Sequence, residues 1–218
     1  MSCVYFDFAP DSITLVATDG HKLARCRDCS VTGAEKSAFI LPKKPSTLLK
    51  NLLGKDDEEE VQIEFDGRFA IFTMGEYKLI SRLHDGRYPN YNSVIPQNNP
   101  HKLTVDRAAL VSALRRVAIF SSQVSLVKLH IEDNKIIVSA QDTDFSTSAE
   151  ESITCSYDGV PMNIGFRALF LIDILNNIPG QDVIFELADP SRAGVIVPAE
   201  QADKQELLML LMPMMLTE

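Results

Sequence analysis

Leu48, Leu49, Leu52 and Leu53 have the spacing of one apolar helix face, and Phe170, Leu171, Ile174 and Leu175 repeat that spacing later in the chain. The same displacement lays Val61, Ile63 and Phe65 on Val183, Phe185 and Leu187, an alternation with the period of a half-buried strand. One helix-then-strand module therefore occurs twice. Its period is longer than that of solenoid repeats, so the pattern predicts duplicated domains rather than stacked units sharing one continuous core. Each copy is expected to be a sheet with helices packed on one face, an α+β architecture.

Further elements surround the repeat. Apolar stretches at 4–8 and 13–17 flank Ala9-Pro10-Asp11-Ser12, a hairpin signal, and 38–41 reads as another strand. Pro42-Lys43-Lys44-Pro45-Ser46 leads into a predicted helix over 47–53 with Gly54 as its stop, and the acidic run 55–60 reads as a solvated loop. Segments 61–65, 69–74 and 77–83 alternate as a meander, broken at Asp66-Gly67 and Gly75-Glu76. The proline- and asparagine-rich stretch 85–100 is the expected domain boundary, and a second unit begins beyond it. Beyond it, Asp106 is placed to cap a helix over 107–120, with Leu110, Leu114, Val117 and Ile119 on its apolar face. Strands are predicted at 126–131, 135–139, 150–157 and 162–166, and a third helix over 168–178 ends at Pro179-Gly180. The first unit thus has one helix and the second two.

Leu207 to Leu216 is an unbroken run of ten apolar residues, where a chain end is normally polar. Spanning a hydrocarbon core takes roughly 20 residues in a helix, so this run is either a buried last strand or the wall of an apolar binding site. Pro213 cannot donate to a sheet ladder. Pairing is expected to end or run along an edge there, leaving Met212, Met214 and Leu216 to line a surface. Flexible, polarizable methionines suit a surface that accepts several related peptides.

Acidic residues outnumber basic ones, 30 against 21, for a formal charge of −9. A uniformly negative surface repels phosphate, which argues against a general nucleic-acid binder. With no basic leader and no long apolar window, neither a signal peptide nor a membrane span is expected, and the cytoplasm is the expected compartment. Of the four cysteines, Cys26 and Cys29 form the one C-x-x-C pair; no second pair or suitably spaced histidines accompany it, so reduced thiols are expected rather than zinc. Asp19, His21, His84 and Asp85 carry atoms that could hold a hydrolytic metal. Their spacing fits no zincin, phosphate-loop or nucleophile-elbow pattern, so a metal-dependent hydrolase is the less favoured alternative, and neither catalysis, cofactor nor metal is expected.

Ala17-Thr18-Asp19-Gly20-His21-Lys22-Leu23-Ala24, Asp85-Gly86-Arg87-Tyr88-Pro89-Asn90-Tyr91, Asn163-Ile164-Gly165-Phe166, Phe170-Leu171-Ile172-Asp173-Ile174-Leu175-Asn176 and the terminal Met212-Pro213-Met214 occur in this order. With these motifs in register, the chain resembles the bacterial DNA polymerase III beta subunit family, the sliding clamps, over essentially its whole length. The resemblance implies a DNA clamp fold: repeated domains with helices on one face, the DNA side, of curved antiparallel sheets. It further implies part of a middle domain at 1–98 and a whole last domain at 99–218, the family's first domain having no counterpart here.

The implied function is that of a replication processivity factor, an accessory subunit without catalysis that tethers DNA polymerase to duplex DNA by topology. An acidic exterior is compatible with that, and Lys43, Lys44, Lys50, Arg107, Arg115 and Arg116 are the residues implied to make loose, sequence-independent phosphate contacts. Partners implied are the DNA polymerase III alpha subunit, the clamp loader, other polymerases and repair proteins. They would bind through a short motif in an apolar pocket formed by Met1, Thr18, Gly20, His21, Lys22, Leu23, Pro89, Ser93, Val94, Val124, Arg167, Phe170, Ser191, Ala193, Leu210, Leu211, Met212, Pro213, Met214, Met215 and Leu216. Ser93 and Met215 stand where some relatives have arginine, and Arg167 where asparagine is frequent. The family forms a homodimeric ring. A chain without the first domain is expected to bind partner peptides without encircling DNA, and its unpaired sheet edges invite non-native self-association.

Overall fold

The computed structural model describes residues 3–31, 35–53, 60–121 and 124–216. Met1, Gly54 and residues 55–59 of the acidic run lie outside the described residues. The chain divides into two compact units, Met1–Tyr91 with Lys204–Glu206, and Asn92–Asp203 with Leu207–Glu218. The division falls within the proline- and asparagine-rich stretch.

In the first unit, β1 (Cys3–Ala9), β2 (Ser12–Thr18), β3 (Lys22–Asp28) and β4 (Ser37–Pro42) form antiparallel pairs in the order β3-β2-β1-β4. The hairpin register closes at Ala9 opposite Ser12. α1 (Lys43–Leu52) follows, then the meander β5 (Gln62–Phe65), β6 (Phe69–Met74) and β7 (Tyr77–Arg82). Alternation along β6 buries Ala70, Phe72 and Met74 against Phe6 and Phe8 of β1, Phe39 and Leu41 of β4 and Leu49 of α1. Aromatic rings dominate this core: Phe6 stacks on Phe39 at 4.7 Å, and Phe65 lies 4.8 Å from Phe39 and 5.2 Å from Phe8.

The second unit repeats the plan. β9 (Leu126–Glu132), β10 (Lys135–Asp142), β11 (Thr147–Thr154) and β13 (Met162–Arg167) run in the order β11-β10-β9-β13, the counterpart of β3-β2-β1-β4. α3 (Ala168–Asn176) then occupies the place of α1, and β14 (Asp182–Leu187), β15 (Gly194–Pro198) and β16 (Gln205–Leu211) that of β5 to β7. To this the second unit adds β8 (His101–Asp106), which pairs with β14 and with the short β12 (Ser156–Tyr157), and α2 (Arg107–Val117). α2 packs beside α3 and against β8, β10 and β11. Asp106 caps it, its carboxylate accepting from the Ala109 N–H at 2.7 Å.

Several expectations need correction. α1 begins at Lys43 rather than 47, because proline is tolerated in a first turn whose N–H groups lack helical partners; Pro42 is its N-cap and Pro45 lies in that turn. The second helix stops at Val117 and continues as a 3-10 turn over Ala118–Phe120, which rotates Ile119 off the apolar face and leaves it 78% exposed. None of the sheets is strongly curled, contrary to the expected curvature. β3 and β15 were not anticipated. No described helix is long and apolar enough to cross a membrane.

Candidate functional site

The terminal apolar run divides in two. Met209, Leu210 and Leu211 are buried in β16, which pairs with β15, so Leu210 and Leu211 are core residues rather than exposed lining. At Met212-Pro213 the chain leaves this ladder. Pairing resumes one residue later: the Met214 N–H donates to Gly165 O at 2.8 Å, an isolated antiparallel bridge to the middle of β13. Gly165 permits this approach. A Cβ at that position would lie 2.8 Å from Met214 O, 2.8 Å from a Leu216 methyl and 3.1 Å from a Leu126 methyl. Met214 and Leu216 are therefore half-buried against β13, while Met212 and Met215 are 44% and 78% exposed.

β13 runs directly into α3 at Arg167. The Ala168 N–H donates to Ser125 O at 2.7 Å, tying the helix start to the residue after exposed Val124. The Arg167 guanidinium lies over the Phe170 ring, 4.9 Å from its centroid, and Leu169 beside them is 62% exposed. The Ser191–Ala193 loop is fixed separately. The Asp189 carboxylate accepts from the N–H groups of Ser191 and Arg192 and from the Ser191 hydroxyl, which holds its carboxyl below the usual carboxylate range. Asn99 donates to Glu186 O at 2.9 Å and Ala193 O at 3.0 Å, a brace that no local sequence pattern announced. Ala193 is buried, whereas Ser93 and Val94 are exposed.

In the first unit the Thr18–Lys22 turn is closed by its own side chains. Asp19 accepts from the His21 and Lys22 N–H groups at 3.0 and 2.9 Å, and the Thr18 hydroxyl donates to Lys22 O at 2.8 Å. Partial burial alone would raise the Asp19 carboxyl; the Lys22 and His21 N–H groups and the nearby positive charges outweigh it and hold the carboxyl low. Gly20 supplies the positive φ, 89°, that the turn requires. Leu23 is buried, Pro89 is exposed, and neighbouring Tyr88 stacks on Tyr5 at 4.6 Å.

The six cations differ in role. Lys43, Lys44 and Lys50 are exposed on α1 and Arg115 on α2. Arg107 instead donates to Gly180 O at 2.9 Å and Leu175 O at 3.3 Å, bracing the end of α3, and Arg116 grips Glu151 through two hydrogen bonds. Asp19 is engaged within its own turn, and among the described residues no group of three or more His, Cys, Asp and Glu is arranged to hold a metal. Burial pushes the Cys26 thiol up, with Asp28 adding to the effect, the reverse of an activated thiolate.

Comparison with known proteins places this geometry in a family. The description "DNA polymerase III beta subunit, central domain" matches residues 1–90, and "DNA polymerase III beta subunit, C-terminal domain" matches 92–214. The beta sliding clamp of Caulobacter vibrioides is 33% identical over 184 residues, covering 84% of this chain and 49% of that protein. That of Escherichia coli K12 is 31% identical over 213 residues, covering 97% and 57%. Among solved structures, a DNA polymerase sliding clamp from Pseudomonas aeruginosa with ligand superposes with a TM-score of 0.92 at 28% identity, over 99% of this chain and 58% of that one. The DNA polymerase III beta subunit of Thermotoga maritima gives 0.90 at 25% identity over the same shares. The chain spans about half the length of the curated relatives it matches. It belongs to the DNA polymerase III beta subunit family, with the central and C-terminal domains in that order.

Proposed function

We propose that this chain serves as the partner-docking part of a sliding clamp, taking short apolar peptide segments onto the surface where the tail crosses β13. The observation that carries the reading is the Met214–Gly165 bridge: it fixes the tail backbone while Met212 and Met215 stay exposed on flexible side chains. Val124, Arg167, Leu169 and Phe170 belong to the same proposal, and Leu169 is its one addition to the residues expected from sequence. The relatives are named beta sliding clamps, and one P. aeruginosa DnaN sliding clamp, with a TM-score of 0.91, was solved bound to griselimycin. An apolar anchor that becomes buried contributes roughly 1.5 to 3 kcal/mol. Two anchors and a few backbone hydrogen bonds, less ordering costs, give an affinity on the order of micromolar. Such weak binding suits partners that must exchange.

In the wider reading, docking serves DNA replication: the partners are the polymerase III alpha subunit, the clamp loader and other polymerases or repair proteins, and exposed Lys43, Lys44, Lys50 and Arg115 meet duplex phosphates. Peptide docking does not depend on the chain encircling DNA. The test is fluorescence anisotropy of a labelled peptide with Leu and Phe anchors. Saturable micromolar binding, weakened about tenfold in a Met212→Ala, Met215→Ala double variant of unchanged thermal stability, is expected. Equal binding by the variant would remove the tail from the site.

A further inference from the structure

We propose that Arg167 selects partner segments that carry an acidic side chain beside their apolar anchors, an inference that rests on the docking reading above. Ion pairing among the described residues engages only some of the arginines. Arg25 and Arg27 both lie within ion-pair distance of Glu206, Arg116 of Glu151 and Arg192 of Asp189. Arg167 takes part in no ion pair among the described residues, in a chain with 30 carboxylate side chains and a net charge of −9.

Its guanidinium is nevertheless held in place, 4.9 Å from the Phe170 ring centroid. Stacking an arginine on a ring restrains its rotamers and leaves its N–H groups able to donate as a fork, the geometry that a carboxylate accepts best. The surroundings are apolar and open: Leu169 is 62% exposed and Val124 48%, and Arg167 lies two residues after the Gly165–Met214 bridge. The patch therefore combines exposed apolar side chains with one positioned cation that has no ion pair among the described residues. Its complement is an apolar peptide with a carboxylate at its flank, which the net charge of the chain would otherwise repel.

The test compares two C-terminally amidated, labelled peptides with the same Leu and Phe anchors, one with Asp and one with Asn at the flanking position. The wild-type chain should bind the Asp peptide about five- to tenfold more tightly, a preference opposite to that set by its net charge. Arg167→Gln should abolish or reverse the preference, the Asp peptide losing far more affinity than the Asn peptide, with an unchanged melting temperature showing the surface intact. Arg167→Lys should keep part of it, retaining charge without the fork. Equal wild-type affinities, or a preference that survives Arg167→Gln, would overturn this inference and leave docking standing. Failure of both peptides to bind would overturn the docking reading and this inference with it.

Discussion

Replacing Gly165 by alanine adds a single methyl group at the point where the tail crosses β13. The backbone of Gly165 does not have a positive φ, so alanine meets no conformational penalty of its own and the effect is steric. The new Cβ would lie 2.8 Å from both Met214 O and a Leu216 methyl. The methyl can rotate away, but the carbonyl is backbone and moves only with the tail. Overpacking of this kind costs typically about 1 to 3 kcal/mol. Release of the tail caps the cost at what its docking contributes: about 1 kcal/mol for the Met214–Gly165 hydrogen bond and about another 1 for partial burial of Leu216. At about 1.4 kcal/mol per decade, a 2 kcal/mol loss is a roughly thirtyfold fall in protection of the Met214 amide in native-state hydrogen exchange. Amides inside β9 and β10 should keep their protection. The anchor-peptide affinity should fall in parallel, and adding Leu216→Ala should rescue only part of the loss, since the carbonyl contact remains. Unchanged Met214 protection with unchanged peptide affinity would refute the argument that Gly165 exists to admit the tail.

Arg107→Ala should destabilise the second unit by about 1.5 to 3 kcal/mol in denaturant unfolding, by removing a charged donor from two carbonyls at the end of α3; Arg115→Ala, an exposed change, should fall within about 0.5. Glu151→Gln frees the Arg116 guanidinium, so duplex affinity should rise and the salt slope steepen by about one phosphate contact, while no change would remove Arg116 from any DNA-facing role. Burial, with a smaller contribution from Cys3, pushes the Tyr88 phenol up to about 12 from an ordinary value near 10. The folded state then holds this proton more tightly than the unfolded one, so stability should decline as pH rises from about 10 towards about 12, and Tyr88→Phe should flatten that decline in alkaline melting curves.

Much of the fold was legible because each unit reports its burial locally. Period-two alternation marked β6, β9, β10 and β14, the Asp106 cap fixed the start of α2, and the repeat exposed the shared plan of α1 and α3. β3 escaped because Lys22, Arg25, Arg27 and Asp28 interrupt its apolar pattern; the strand is held by its ladder to β2. Ile119 fitted the helical face until the helix tightened one turn too soon. In the site, the Met-rich tail could be picked out, but its bridge to Gly165 could not. That contact depends on a missing side chain at one position and a backbone N–H far along the chain, and no local periodicity encodes it. The same limit applies to cations: Arg107, Arg115 and Arg116 look alike in sequence, yet among the described residues Arg107 finds carbonyl partners and Arg116 a carboxylate, while Arg115 is exposed.

The chain has seven methionines, and they make the most direct probe of the central claim. Met74, Met162 and Met209 are buried, whereas Met212, Met214 and Met215 belong to the tail. With methionine methyl groups labelled with carbon-13, titration with the Leu- and Phe-anchored peptide should shift the three tail signals saturably, at one common affinity, while the three buried signals stay in place. Saturable binding that leaves Met212, Met214 and Met215 unmoved would contradict the account and put the partner site elsewhere on the chain.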